Sequence, residues 1–111
     1  MIDALIAGRL YGRPAERTTS SGKSFATAKV RVSTRDGDAL FVHVIAFAES
    51  AVSALLALSD GDSIALAGEL TPKVWTDKNG EARPALDLLA HSVLTEYHVT
   101  RKRQAMSEQP V

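Results

Sequence analysis

The sequence predicts an all-β fold, a five-stranded Greek-key barrel with one helix between the third and fourth strands. Five segments alternate apolar and polar residues with a period of two, one segment has helical spacing, and turn residues separate them. With 111 residues and 45% hydrophobic content, the chain can bury one modest core. We expect one domain over residues 1–100 and a flexible, basic-to-polar tail over residues 101–111.

Three predicted strands precede the helix. The first covers Leu5–Tyr11 and is followed by a turn region, Gly12–Gly22, rich in glycine, proline, serine and threonine. The second, Ser24–Val32, directs alanines and valines to one face. Its other face is aromatic or polar: Phe25, Thr27, Lys29 and Arg31. The third, Ala39–Phe47, places valines on one face and a mixed set on the other: Phe41, His43, Ile45 and Phe47.

The helix and two further strands complete the predicted barrel. Leucines and alanines at helical spacing predict a helix over Glu49–Leu58, with Gly61 as its left-handed cap. The fourth strand lies within Gly61–Gly80, and the fifth runs from about residue 85 to residue 94. Three strands, a helix and two strands form the element order of the OB-fold, and the helix position favours it over an SH3-like barrel.

The single tryptophan carries the strongest functional signal. Ile64 and Leu66 lie on one face of the fourth strand, so the same parity puts Lys73 and Trp75 on the opposite face. Trp75 therefore points away from the core, shortly before an Asn79-Gly80 hairpin turn. An exposed ring beside a cation is costly unless something stacks on it, and nucleobases are the obvious candidate.

Enzymatic, metal-dependent and membrane functions are not expected. The chain has no cysteine, and its three histidines lack metal-ligand spacing, so we expect no metal and no cofactor. Asp36/Asp38 and Asp60/Asp62 each bracket a glycine, which turn chemistry explains. The Gly-Lys-Ser at residues 22–24 precedes a strand and is no phosphate loop. No signal peptide or long apolar run is present, and the formal net charge is zero.

Several motifs, in order along the chain, resemble one family. Gly8, Leu10 and Pro14 are followed by a Ser-Gly turn, Val44–Phe47 ends the third strand, and Gly68 and Leu70 precede Trp-Thr-Asp at residues 75–77. This set resembles the bacterial single-stranded DNA-binding protein family over about residues 4–97. The resemblance implies an OB-fold that binds single-stranded DNA.

The resemblance also implies a set of base-stacking rings. The stacking aromatics of the family fall on Phe41, Phe47 and Trp75, which strand parity already separates from the core. Stacking on such rings tolerates any base, since every base has a π-face. For the two phenylalanines the alternative is burial in the core or between subunits.

Basic and polar side chains near these rings are the candidate phosphate contacts. Lys29 and Arg31 share a strand face and lead this group, with Lys73 next. Arg17 matches a basic family position, whereas His43 replaces one. Three further candidates are Thr27, Arg9 and Arg13. For any single surface arginine the alternative is a solvated side chain that contributes little.

The chain departs from the family in three places. The short loop at residues 33–39 lacks the third tryptophan of the family, and Glu49 and Asp60 replace lysines. We therefore expect weaker binding with a shallower salt dependence. Typical members end in an acidic tip that recruits replication and repair proteins. Residues 106–111 contain Glu108 as their only acid, so we expect a short form that lacks this tip.

The expected function is binding of single-stranded DNA without strong sequence preference, which protects it during replication, recombination or repair. We expect a non-enzymatic, cytoplasmic, nucleoid-associated protein that forms a homotetramer, with a homodimer as the alternative, and that contacts replication or recombination proteins. Two other functions stay open: a primosomal accessory protein of the same fold that acts in helicase reloading, and an OB-fold adaptor that binds only protein.

Overall fold

Six strands and one helix form residues 1–95, the part of the chain that the computed structural model describes. They are β1 (Ile2–Leu10), β2 (Ala15–Thr18), β3 (Ser24–Ser33), β4 (Ala39–Ala46), α1 (Glu49–Leu56), β5 (Ser63–Thr76) and β6 (Ala82–Thr95). This arrangement confirms the predicted all-β class and the helix that precedes the last two strands. The predicted tail, residues 101–111, lies outside the described residues.

The strands form one sheet that closes on itself. Their order is β1-β5-β6-β4-β3-β2, and β1 also pairs with β3 at Arg9 and Leu10, which closes the barrel. The β4–β6 pair is parallel, and the other pairs within residues 1–95 are antiparallel. A closed sheet leaves few free edges, which suits a chain with one small core.

The core follows the predicted alternation. Twelve buried apolar residues form one cluster in the barrel: Leu10, Ala26, Val30, Val42, Val44, Ala46, Ala51, Leu55, Ile64, Leu66, Leu88 and Ala90. Ala51 and Leu55 come from α1, which packs against β6 and β3. Full burial of a leucine such as Leu55 contributes roughly 1.5–3 kcal/mol to the free energy of folding. The outward residues of the same strands are therefore free to bind a ligand.

Two glycines lie where backbones approach most closely. A Cβ atom at Gly8 would collide with the carbonyl oxygen of Arg31, at the contact that closes the barrel. A Cβ atom at Gly68 would collide with the carbonyl oxygen of Leu89, beside a register shift between β5 and β6. At both glycines of the repeated Gly-x-Leu motif, the close backbone contact leaves no room for a side chain.

Three local features differ from the sequence-based expectation. The predicted turn region contains the short strand β2, which pairs with the start of β3. The helix ends at Leu56, and its C-cap is Ala57 in the right-handed region, so the prediction of Gly61 as the cap is wrong. Gly61 has φ 87° in the following turn, where the Ser59 N–H donates to Asp62 (2.8 Å). β6 begins at Ala82, three residues earlier than expected, because the hairpin is longer.

A patch on the outer side of β1, β5 and β6 is apolar and lies between polar positions of the same parity. In register, Leu5 faces Ala67, Ala7 faces Ala65, and Ala65 faces Leu94, all with parity opposite to the core. Leu5 is 79% exposed and Leu94 49% exposed. We call these five residues the apolar face. No helix in residues 1–95 is long and apolar enough to cross a membrane.

Candidate nucleic-acid interface

Residues of β3 and β4 that point away from the core lie side by side on one outer surface. The register pairs Arg31 with Phe41, Lys29 with His43, and Thr27 with Ile45. Directly paired residues of antiparallel strands project to the same side of the sheet. We call this surface the aromatic face; its members are Phe25, Thr27, Lys29, Arg31, Phe41, His43 and Ile45.

The first aromatic group on this surface consists of Tyr11, Lys29 and Phe41, the Lys29 cluster. The ring centroids of Tyr11 and Phe41 are 5.1 Å apart at an interplanar angle of 70°, an edge-to-face contact. The Lys29 Nζ atom lies 4.7 Å from the Phe41 centroid and 5.6 Å from that of Tyr11. A cation over two rings gives this cluster both a stacking surface and a charge for phosphate.

The second group consists of Lys23, Phe25 and Phe47, the Lys23 cluster. The centroids of Phe25 and Phe47 are 5.4 Å apart, and their planes differ by 35°. The Lys23 Nζ atom lies 5.8 Å from the Phe47 centroid. Phe47 is 38% exposed, and neither ring belongs to the buried core cluster. This group lies at the opposite end of β4 from Phe41.

Trp75 lies near the tip of the β5–β6 hairpin, away from the core as predicted, and is 53% exposed. The β4–β6 pairing starts at Val42 and Leu86, so the hairpin projects from the end of the sheet that carries Phe41. The three predicted stacking residues therefore follow one another as Trp75, Phe41 and Phe47 along one side of the barrel.

The hairpin tip is fixed by Asp77. Its carboxylate accepts hydrogen bonds from the Arg83 Nε (2.9 Å) and from the backbone N–H groups of Asn79 (2.9 Å) and Glu81 (3.0 Å). The Arg83 bond, followed by the backbone bonds, holds the pKa of Asp77 below its ordinary value. Arg83 is the register partner of Trp75, so this network also positions the charge beside the indole.

The predicted phosphate contacts fall into two groups. Arg31 and Arg9 are register partners where the barrel closes, and Arg17 is the register partner of Phe25. Arg13 lies exposed between β1 and β2. Arg31, Lys29 and Thr27 are thus members of the aromatic face, and the register places Arg9 and Arg17 next to it. The Arg9 guanidinium also donates a hydrogen bond to the Gly61 carbonyl (3.1 Å). Like charges at the register partners Arg9 and Arg31 favour the binding of an anion nearby.

Lys73 and His43 both lie close to an acidic residue. The Lys73 ammonium forms an ion pair with Asp87, and the register places His43 beside the same Asp87. Asp87 is thus an acidic residue next to the aromatic face. The negative charge of Asp87 disfavours a phosphate at Lys73 and at His43, two of the phosphate contacts that the sequence predicts.

Sequence reasoning placed no function on Tyr11, Phe25 or Lys23. The position of Phe25 could have been predicted from the sequence, because strand parity places it on the same face as Lys29 and Arg31. Tyr11 meets Phe41 only through the closure of β1 on β3, a long-range contact that leaves no local pattern. Lys23 reaches Phe47 across the β3–β4 pair.

Within residues 1–95, no group of three or more histidine and acidic side chains is placed to hold a metal ion. Among the aspartates that bracket glycines, the Asp62 carboxylate accepts from the Ser59 N–H (2.8 Å) within a turn, as expected. The Asp60 carboxylate instead accepts from the Gly12 N–H (2.8 Å) and so joins two loops that are distant in sequence. The exposed rings and cations are thus the groups available for binding.

Comparisons with known proteins agree with this geometry. Residues 1–95 match the model of the single-strand binding protein family. Among curated protein sequences no significant match is found. The fold is similar to that of a small single-stranded DNA-binding protein from Streptomyces coelicolor, with a TM-score of 0.63 and 21% identity. It is also similar to a mitochondrial single-stranded DNA binding protein from S. cerevisiae, with a TM-score of 0.65 and 16% identity. Each alignment covers 86% of this chain and 94% of the other.

Proposed function

This chain belongs to the single-strand binding protein family, and from that premise we propose that it binds single-stranded DNA on the aromatic face and the Trp75 hairpin. The family consists of binding proteins without enzymatic activity, in agreement with the sequence-based expectation. The proposed role is protection of exposed strands during replication, recombination or repair.

One observation carries the proposal: partly exposed rings alternate with cations on a single side of the barrel. Lys29 lies over Phe41, Lys23 lies near Phe47, and Arg31 pairs in register with Phe41. A nucleic acid strand presents the same alternation of flat bases and anionic phosphates. Stacking of one base on an aromatic ring contributes roughly 1–3 kcal/mol, whichever base it is. Binding by stacking therefore gives weak sequence preference.

The length of the surface fits a single OB-fold domain. Phe47 follows Phe41 by six residues, which spans roughly 20 Å along an extended strand. The hairpin extends the surface further at the Phe41 end. Such a track suits a site within the usual range of about 4–16 nucleotides for one OB-fold.

We also propose that the protein forms a homo-oligomer, a tetramer or a dimer, through the apolar face. The edge of β1 over residues 2–7 pairs only with β5 among residues 1–95, so its other side is open. This open edge adjoins Leu5, the more exposed of the two leucines of the apolar face. A second copy of the chain would cover both the unpaired backbone groups and the leucine.

Tryptophan fluorescence during titration with oligo-dT tests the proposed function, at low and at moderate salt. Trp75 is the only tryptophan of the chain, so the signal reports one place. Saturable quenching that weakens with salt is the expected result, because a base covers the indole and phosphates displace counterions. Absence of both quenching and binding would contradict the proposal and favour a protein-binding adaptor.

A further inference from the structure

We propose that Phe25 is a base-stacking residue that forms, with Phe47 and Lys23, a second binding subsite for single-stranded DNA. The Lys23 cluster would hold one base on the paired rings and the adjoining phosphate at the lysine. This inference rests on the proposed function, and it adds a ligand-contacting role for two residues, Phe25 and Lys23.

The ring geometry distinguishes this pair from the other one. Phe25 and Phe47 differ by 35° in plane, whereas Tyr11 and Phe41 meet nearly edge to face at 70°. A base needs a ring face to stack on, and the faces of Phe25 and Phe47 are closer to parallel than those of Tyr11 and Phe41. The Phe25–Phe47 pair is therefore better oriented to continue a stack with a base.

Packing of the barrel core does not account for this pair, in which Phe25 is half-buried and Phe47 is more exposed. The residue beside Phe25 in the chain, Ala26, is fully buried and faces the core, so strand parity directs the Phe25 ring outward. Phe47 follows the last residue of β4 and keeps 38% of its surface exposed. Leaving apolar area in water costs about 25 cal/mol per Å², a cost that a stacked base would remove.

The charges around the pair suit a phosphate. Lys23 Nζ lies 5.8 Å from the Phe47 centroid, and Arg17 is the register partner of Phe25. Neither cation takes part in an ion pair among the described residues. The Lys23 cluster thus has its positive charges available.

Two variants of Phe25 test the stacking role. Phe25→Leu keeps an apolar side chain on the strand but removes the π-face, and Phe25→Tyr retains it. We expect Phe25→Leu to weaken binding of oligo-dT at least about fivefold, and Phe25→Tyr to bind within about twofold of the wild type. Binding is followed by anisotropy of a labelled oligonucleotide, and folding by circular dichroism.

If Phe25→Leu fails to fold, a Lys23 variant and photo-cross-linking of the wild type still test whether the Lys23 cluster contacts DNA. Lys23→Gln should lower the slope of log K against log salt by about 0.7, the value for one phosphate on a single strand. Oligonucleotides that carry iododeoxyuridine should cross-link, on irradiation, to the peptide that contains Phe25, and a cross-link at Phe47 alone would mean that Phe25 does not contact the base. A contact with a base produces this signal, whereas a purely structural role does not.

The outcomes separate this inference from the proposed function. If Phe25→Leu binds like the wild type, or Lys23→Gln leaves the slope unchanged and cross-links form only at Trp75 and Phe41, the second subsite is overturned and the proposed function stands. If the wild type neither binds oligo-dT nor quenches, both are overturned. Weaker binding of Phe25→Leu with retained binding of Phe25→Tyr supports the inference.

Discussion

The aromatic face and the apolar face are built from the same alternation but from different residues. On β3 and β4, the outward positions hold phenylalanines, lysine and arginine, and the rings are joined by cation–π contacts. On β1, β5 and β6, the central outward positions hold alanines and two exposed leucines, bordered by polar residues such as Asp3 and Glu69. Flat rings with cations suit a charged ligand that stacks, whereas small apolar side chains suit close contact with another protein surface.

The two faces also differ in how much of their chemistry is already satisfied within the chain. Lys29 of the aromatic face lies over two rings and keeps its charge for a ligand, while the edge of β1 beside the apolar face lacks a strand partner. The aromatic face therefore lacks an anionic ligand, and the edge beside the apolar face lacks a strand to pair with. If the comparison is right, a substitution on one face should change one function and leave the other unchanged.

The largest expected effect is that of Trp75→Ala on DNA affinity. Loss of a stacked base costs roughly 1–3 kcal/mol, so oligo-dT should bind about five- to 150-fold more weakly. The melting temperature should change little, since the indole is 53% exposed. Anisotropy of a labelled oligonucleotide measures the affinity without the tryptophan signal.

Val74→Ala is the matched control for that experiment. Val74 is the chain neighbour of Trp75, is 74% exposed, and lies on the other side of the hairpin. Its truncation should leave the affinity within about twofold of the wild type. An equal loss in both variants would mean that the hairpin acts through its general shape and not through a stacked ring.

The next effect concerns assembly. Leu5→Glu places a charge at the more exposed leucine of the apolar face, and we expect it to weaken self-association about tenfold or more, as loss of a central contact of about 2 kcal/mol would do. Sedimentation velocity gives the species present, and a short oligonucleotide gives the affinity of one domain, which should not change. Val74→Glu serves as the control for adding a charge at an exposed apolar site. An unchanged oligomer in Leu5→Glu would place the subunit contact elsewhere.

A smaller effect, of opposite sign, is expected at Asp87. Asp87→Asn removes the acidic residue beside His43 and releases Lys73 from its ion pair. We expect DNA to bind about two- to fivefold more tightly, in the range of an exposed charge pair, with a salt slope steeper by about 0.7. Asp3→Asn changes the net charge equally on β1, beyond the aromatic face, and should not reproduce the gain. Equal gains in both variants would indicate a general charge effect.

The sequence predicted the parts of this fold that depend on alternation within one strand. Parity alone separated Trp75, Phe41 and Phe47 from the core. β2 was missed because Ala15–Thr18 is too short to show a period and lies among turn residues. Parity left no sign of the Lys73–Asp87 pair, because it depends on the register between β5 and β6, which a single sequence does not contain.

The smallest effect distinguishes the hairpin tip from the barrel that carries it. The pKa of Asp77 lies below its ordinary value, chiefly because Arg83 donates to the carboxylate, so the ionised form stabilises the folded tip. This contribution is complete above about pH 4 and is lost as the pH falls through the lowered pKa. The amide signals of Asn79 and Glu81 should therefore shift in acid while those of core residues such as Val44 stay constant. Asp77→Asn should show the loosened tip at every pH, with an unchanged melting temperature. Acid shifts that spread equally to the core would mean that the tip and the barrel unfold as one unit.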